Sequence, residues 1–133
     1  MHTILIIDDD EPIRNTLRLL LTKAGYRPLL AEGGQQAIEL MEQPEHAAAV
    51  AAILCDLDMP GMDGATTIRH LQARYSMIPI VVLSGAAPTQ FLDAIGLQGV
   101  GDWIRKPAST EEVLEKVRVA VHLFEMRKSD RKA

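Results

Sequence analysis

The chain has 133 residues, 47% of them hydrophobic and only 4% aromatic: one domain's worth, long enough to bury an aliphatic core without a metal or disulfide staple. A formal net charge of −4 argues against a broad basic footprint for nucleic acid, and a single cysteine, Cys55, excludes an internal disulfide framework and suits a reducing, cytoplasmic setting. The longest apolar runs are too short to cross a bilayer, and Met1-His2-Thr3 sets no basic region ahead of the first of them, so neither a membrane span nor a secretory signal is expected.

In chain order, residues 4–7 (Ile-Leu-Ile-Ile) are a continuous aliphatic, β-branched run, the pattern of a strand buried on both faces of a parallel sheet. Asp8-Asp9-Asp10-Glu11 follow at once, and Pro12 suits the first turn of a helix. Ile13, Leu17, Leu20 and Leu21 fall at helical spacing with Arg14 and Arg18 off that face, and Gly25 signals the helix end. Residues 27–31 read as a shorter second strand whose Pro28 favours a sheet edge. Gly33-Gly34 turn into a helix over 35–42, with Ala37, Ile38 and Met41 inward, which Gln43-Pro44-Glu45 breaks. Residues 46–50 stay open between a helical extension and a loose connection. A third strand over 51–55 runs into Asp56-Leu57-Asp58-Met59-Pro60-Gly61-Met62-Asp63-Gly64, delivering acids to a turn; Cys55 reads as a small core residue.

A helix over 64–75 follows, then a fourth buried strand over 79–83 that ends at Ser84-Gly85. Residues 89–97 read as a weak helix, loosened at its end by Gly96, Gly99 and Gly101, and 103–105 as a short fifth strand closed by Lys106-Pro107. The last helix starts behind Ser109, with Glu112 three residues on in a near capping box, and carries Val113, Val117, Val121 and Phe124 as its apolar stripe. Residues 126–133 are charged and show no packing signal. His2, His46, His70 and His122 make no metal-binding spacing and read as solvated.

Five strand-helix repeats with crossovers of this length predict a parallel five-stranded sheet with helices on both faces. All C-terminal strand ends of such a sheet share one edge, where ligands and chemistry sit in open α/β folds. That edge would gather Asp8 and Asp9 from the first strand, Asp56 from the third, Ser84 from the fourth and Lys106 from the fifth. Carboxylates so placed repel one another and raise each other's pKa unless a cation sits among them. Oxygen donors without sulfur or histidine suit a hard ion such as Mg²⁺, or Mn²⁺ in its place. A divalent ion, a lysine and a hydroxyl around one carboxylate would also stabilise charge on a transferring phosphoryl group.

Four of these motifs together resemble the receiver domain of two-component response regulators. Ile6-Ile7-Asp8-Asp9, the stretch from Asp56 to Gly64, Val82-Leu83-Ser84-Gly85 and Lys106-Pro107 stand in that family's order and rough spacing, over residues 3–122. The resemblance implies a flavodoxin-like (CheY-like), doubly wound α/β single domain with strand order 2-1-3-4-5. The domain would span 1–124, with 125–133 a charged tail or the start of a linker to an output domain outside these residues. It also implies roles. Asp56 would be the phosphoacceptor, taking a phosphoryl group from a phosphohistidine on a sensor histidine kinase or phosphotransfer protein. Asp9 and Asp56 would bind Mg²⁺ directly, Asp58 through its backbone carbonyl and Asp8 through water, leaving the Asp58 side chain to tune hydrolysis. Lys106 would pair with the phosphoryl oxygens, and Ser84 would hydrogen-bond one of them and draw its loop inward. Trp103, where the family usually has tyrosine or phenylalanine, would report the state of Ser84 on the face made by the helix over 89–97, the fifth strand and the last helix. That face, with Trp103, Arg105 and 113–121 on it, is expected to bind a partner or a second copy of the chain. No direct nucleic-acid or membrane contact is expected of this domain, and no enzymatic turnover beyond self-catalysed phosphotransfer and dephosphorylation.

Plainer readings stand beside these. Asp8 and Asp9 could simply begin the first helix, where acids favour the macrodipole, although Asp10 and Glu11 already suffice. Lys106 could be a solvated loop lysine, Ser84 a turn serine and Trp103 plain core. The Asp56-Leu57-Asp58 pattern also fits an aspartate-nucleophile phosphatase with Asp58 as general acid, but such enzymes carry it on the first strand and have a cap insertion. A receiver-like scaffold that is never phosphorylated is a third reading, against which the intact acid set argues. The sequence departs from the family in the bulk of Trp103, in Ala108 where an aromatic often follows Lys-Pro, in the glycine-rich stretch 96–102 and in the long, alanine-rich segment before the third strand.

Overall fold

The aliphatic run at the start of the chain becomes β1 (Thr3–Ile7), buried at every residue. With water excluded from both faces, its backbone N–H and C=O groups need a partner strand on each edge, and β1 has them: β2 (Arg27–Ala31) and β3 (Val50–Asp56), both parallel to it. Next to β3 lies β4 (Ile80–Ser84), and β5 (Val100–Arg105) closes the sheet in the order β2-β1-β3-β4-β5. The computed structural model describes residues 1–59, 64–85 and 100–132; the helix expected over 89–97 and the turn 60–63 lie outside them. As its proline implied, β2 is an edge strand, and most of its residues are only half-buried. The order and the parallel sense are those of the flavodoxin-like fold.

Side chains alternate along each strand, so the sheet carries two cores. Leu5, Ile7, Ile53, Cys55, Ile80 and Val82 face one side, under α2 (Gly34–Glu42) and α4 (Gly64–Arg74), which supply Ala37, Met41, Ile68 and Leu71. Ile4, Ile6, Leu54, Val81, Leu83 and Ile104 face the other, under α1 (Glu11–Lys23) and α5 (Thr110–Lys132), which supply Leu17, Leu21, Val113, Val117 and Val121. Among the described residues, no helix is long and apolar enough to cross a membrane.

Local chemistry sets the helix ends. The Asp10 carboxylate accepts from Ile13 N–H at 3.2 Å and Pro12 sits in the first turn of α1, while Gly25, at φ +94°, follows its last residues in the left-handed region open to glycine. Ser109 Oγ accepts from Glu112 N–H at 3.1 Å and caps α5 as expected.

Several expectations change. Pro44 ends one helix and starts another, since its missing N–H costs nothing in a first turn: α3 runs Pro44–Ala49. The fifth strand begins at Val100 rather than near Trp103, because pairing with β4 recruits the glycine-bearing stretch, with a register shift between Ile80 and Val81. The charged end is helical as far as Lys132, where basic residues complement the helix dipole, and Arg127 Nη1 lies 3.5 Å from Met77 O. His2 and His46 are half-buried and partnered rather than solvated: His2 Nε2 is 3.0 Å from Glu125 Oε1 and His46 Nδ1 is 2.8 Å from Leu40 O. In α1 the inward stripe is Arg14, Leu17 and Leu21, while Ile13 is 38% exposed. Val113, Val117 and Val121 belong to the core, so the surface expected over 113–121 excludes its apolar stripe.

Candidate functional site

Backbone hydrogen bonds continue past the ends of the strands and fix the loops of the C-terminal edge. Asp8 N–H donates to Ala31 O at 3.1 Å, Leu57 N–H to Leu83 O at 2.9 Å and Lys106 N–H to Ser84 O at 2.9 Å. The residues just after β1, β3 and β5 are therefore held as firmly as the strands themselves. A fourth constraint comes from Gly64. A Cβ there would lie 2.5 Å from Leu57 Cα and 2.8 Å from Asp56 O, so only glycine lets the first turn of α4 rest against the backbone that carries Asp56.

The expected side chains converge. Asp56 is buried, and its Oδ1 accepts from the Lys106 ammonium at 2.7 Å and from Asp58 N–H at 2.9 Å. Asp8 is 2% exposed and accepts from Asp10 N–H at 2.9 Å, whereas Asp9 is exposed. Asp8, Asp9 and Asp56 each offer one carboxylate oxygen, and the three atoms lie within 4.8 Å of one another. This all-oxygen set fits a hard divalent cation that keeps part of its water shell. Ser84 is fully buried at the end of β4. Trp103 pairs in register with Val82 and packs, half-buried, against the α2/α4 core. The Lys106–Pro107 peptide bond is cis.

The electrostatics follow from this crowding. Burial raises the Asp8 carboxyl to about 6 and the charge of Asp56 adds to the rise, against the lowering effect of the Asp10 N–H. Burial pulls Lys106 down, but its hydrogen bond and attraction to Asp56 outweigh that, and its pKa is raised overall. The Cys55 thiol, fully buried behind Asp56, is pushed far up by desolvation, which leaves it a core residue rather than a nucleophile.

Two features escape a reading of the sequence alone. The Asp58 carboxylate accepts from Ser84 Oγ at 3.1 Å and from Gly85 N–H at 2.9 Å, and its Oδ2 lies 3.8 Å from Lys106 Nζ. No local pattern announces a bond between positions 58 and 84. Arg14 is buried, and its Nη1 donates to the Asp8 carbonyl at 2.8 Å while Nη2 stands 3.9 Å from Glu32. Its signal was available: positions 14, 17 and 21 form a helical stripe, but a charged residue on that stripe does not read as inward. Pro60, Gly61, Met62 and Asp63 lie outside the described residues.

A family model described as "response regulator receiver domain" matches residues 4–118. The chain is 26% identical to the chemotaxis protein CheY4 of Vibrio cholerae, with 90% of this chain and 98% of that one covered and a TM-score of 0.77. It is 29% identical to a sensor protein from Polaromonas sp. JS666, with 92% and 98% covered and a TM-score of 0.78. A response regulator receiver domain protein from Clostridium thermocellum, 19% identical, shares the fold with a TM-score of 0.85 over 95% of this chain and 98% of that one. With the family model matching residues 4–118, and Asp8, Asp9, Asp56, Ser84 and Lys106 of the four motifs on the C-terminal edge of the sheet, the chain belongs to the response regulator receiver domain family.

Proposed function

We propose that this chain is a phosphorylation-dependent switch in which Asp56 accepts a phosphoryl group from a phosphohistidine of a sensor histidine kinase or phosphotransfer protein. The observation that carries the reading is a buried carboxylate placed 2.7 Å from an ammonium, with two further carboxylates close by. In the transfer, an Asp56 oxygen attacks phosphorus as the bond from phosphorus to the donor imidazole breaks, and the imidazole leaves with that electron pair. Lys106 and Asp58 N–H already occupy Oδ1, so we assign Oδ2 to the attack. Mg²⁺, for which Asp8, Asp9, Asp56 and the Asp58 carbonyl are the proposed ligands, would neutralise charge on the phosphoryl oxygens. Lys106 then turns from the free carboxylate to the phosphoryl group.

An apolar groove of about 570 Å³ between α1 and α5, lined by Ile13, Leu17, Leu20, Pro107 and Val113, opens beside Lys106; it supports docking of the donor protein next to Asp56. Output would pass through Ser84 and the Trp103 strand to a partner or a second copy. The phosphatase reading needs Asp58 to donate a proton, whereas both of its oxygens accept hydrogen bonds, from Ser84 and Gly85, which favours the switch instead.

The test is incubation with Mg²⁺ and either acetyl phosphate or a phosphorylated donor domain, followed by intact mass. A single phosphoryl adduct in the wild type that is absent from Asp56→Asn is expected. No adduct from either donor, or an equal adduct in Asp56→Asn, would sink the reading.

A further inference from the structure

We propose that the Asp58 carboxylate is a built-in competitor of the aspartyl phosphate: in the resting protein it holds the donors that a phosphoryl group on Asp56 must recruit. The inference rests on Asp56 being the phosphoacceptor.

Three donors face Asp58 from the ends of two strands. Ser84 Oγ, at the end of β4, donates to Oδ1 at 3.1 Å; Gly85 N–H donates to Oδ2 at 2.9 Å; the Lys106 ammonium after β5 stands 3.8 Å from Oδ2. A hydroxyl, a backbone amide and an ammonium around two carboxylate oxygens make an anion site, and Asp58 fills it. Lys106 lies between the two acids, 2.7 Å from Asp56 Oδ1, so a phosphoryl group on Asp56 enters the same cluster. A serine hydroxyl has one proton to give. While it is given to Asp58 it is not given to a phosphoryl oxygen, and the two anions compete for it.

The competition has a direction. The aspartyl phosphate carries about −1.5 to −2 charges where the free Asp56 carboxylate carried −1, and it brings them closer to Asp58; like charges repel across so short a gap. The Asp58 side chain is 46% exposed, so it can turn into water with little desolvation to overcome. Its own N–H is bonded to Asp56 Oδ1, which keeps its backbone in place while the side chain leaves. Phosphorylation then comprises two exchanges: a phosphoryl group arrives, and a carboxylate releases Ser84 and Gly85. Asp58 thereby sets how firmly the Ser84 loop is held before activation.

Beryllofluoride, an aspartyl-phosphate mimic, reads the competition without turnover, and Trp103, the one tryptophan of the chain, gives the fluorescence signal. Wild type, Asp58→Ala, Asp58→Asn, Ser84→Ala and the Asp58→Ala/Ser84→Ala double variant are titrated at Mg²⁺ concentrations saturating for each, with thermal melts confirming that each folds. Asp58→Ala is expected to bind about tenfold more tightly than wild type, the scale of one charge-assisted hydrogen bond regained. Asp58→Asn, which keeps an acceptor but no charge, falls between and carries the test if Asp58→Ala does not fold. In the Ser84→Ala background the gain shrinks, a coupling that a merely structural role would not produce. If wild type binds beryllofluoride and Asp58→Ala binds it equally or more weakly, or if the gain persists undiminished without Ser84, the competition is refuted. If wild type takes up neither beryllofluoride nor phosphoryl, the phosphoacceptor reading falls and this inference with it.

Discussion

Burial of Asp8 predicts that the receiver domain is less stable at neutral pH than at mildly acid pH when no divalent ion is supplied. The folded carboxyl titrates near 6 against its ordinary value of 3.8. A folded pKa above the unfolded one means that between those values the folded state holds the proton and the unfolded state has lost it. Stability therefore falls as pH rises from about 4 to about 6, and the loss persists above that window. At about 1.4 kcal/mol per unit, the gap corresponds to at most about 3 kcal/mol, which partial solvent screening reduces. The perturbation is Asp8→Asn, whose side-chain oxygen keeps an acceptor for Asp10 N–H but cannot ionise. Urea unfolding from pH 4.5 to 7.5 in chelator should show the variant gaining on wild type as pH rises, by up to about 2 kcal/mol across that range. Saturating Mg²⁺ should close most of the difference, because a cation among the carboxylates removes the reason for their raised pKa. Parallel stability profiles for the two proteins in chelator would refute the reasoning.

Two further predictions concern the scaffold of the site. Gly64→Ala should lose about 1–3 kcal/mol by urea unfolding and slow phosphorylation by acetyl phosphate, because its Cβ meets backbone atoms 2.5–2.8 Å away; Gly85→Ala, whose Cβ would, among the described residues, meet Asp58 Oδ2 at an ordinary 3.7 Å, serves as the stability control, and equal stability of the two would count against the close approach. Arg14→Met should cost about 1–3 kcal/mol by leaving the buried Asp8 carbonyl without its donor, and should weaken Mg²⁺ binding by calorimetry; wild-type values for both would show that Arg14 does not support Asp8.

Much of the architecture was legible because its signals are local. Continuous aliphatic runs, acids immediately after them, Pro12, Gly25 and Ser109 each act within a few residues, and β1, β3, β4 and the start of α5 follow from them. Pro28 marked the sheet edge because a missing N–H is tolerated there. The errors fall where an element's partner decides its state. β5 extends back to Val100 because β4 offers it a ladder, and the inward face of α1 shifted onto Arg14 because the Asp8 carbonyl needed a donor.

Local pattern was enough to say which residues reach the chemical edge. Short apolar runs ending in acid, hydroxyl or lysine put Asp8, Asp9, Asp56, Ser84 and Lys106 at the C-terminal ends of parallel strands, and parallel strands share one edge. How those groups pair depends on the packing of the strands against one another. The hydrogen bonds from Ser84 and Gly85 to Asp58 span 26 and 27 residues, and the Lys106 contact with Asp56 spans 50. Such bonds are set by the relative placement of β3, β4 and β5 to within a few tenths of an ångström, and no local propensity encodes that distance.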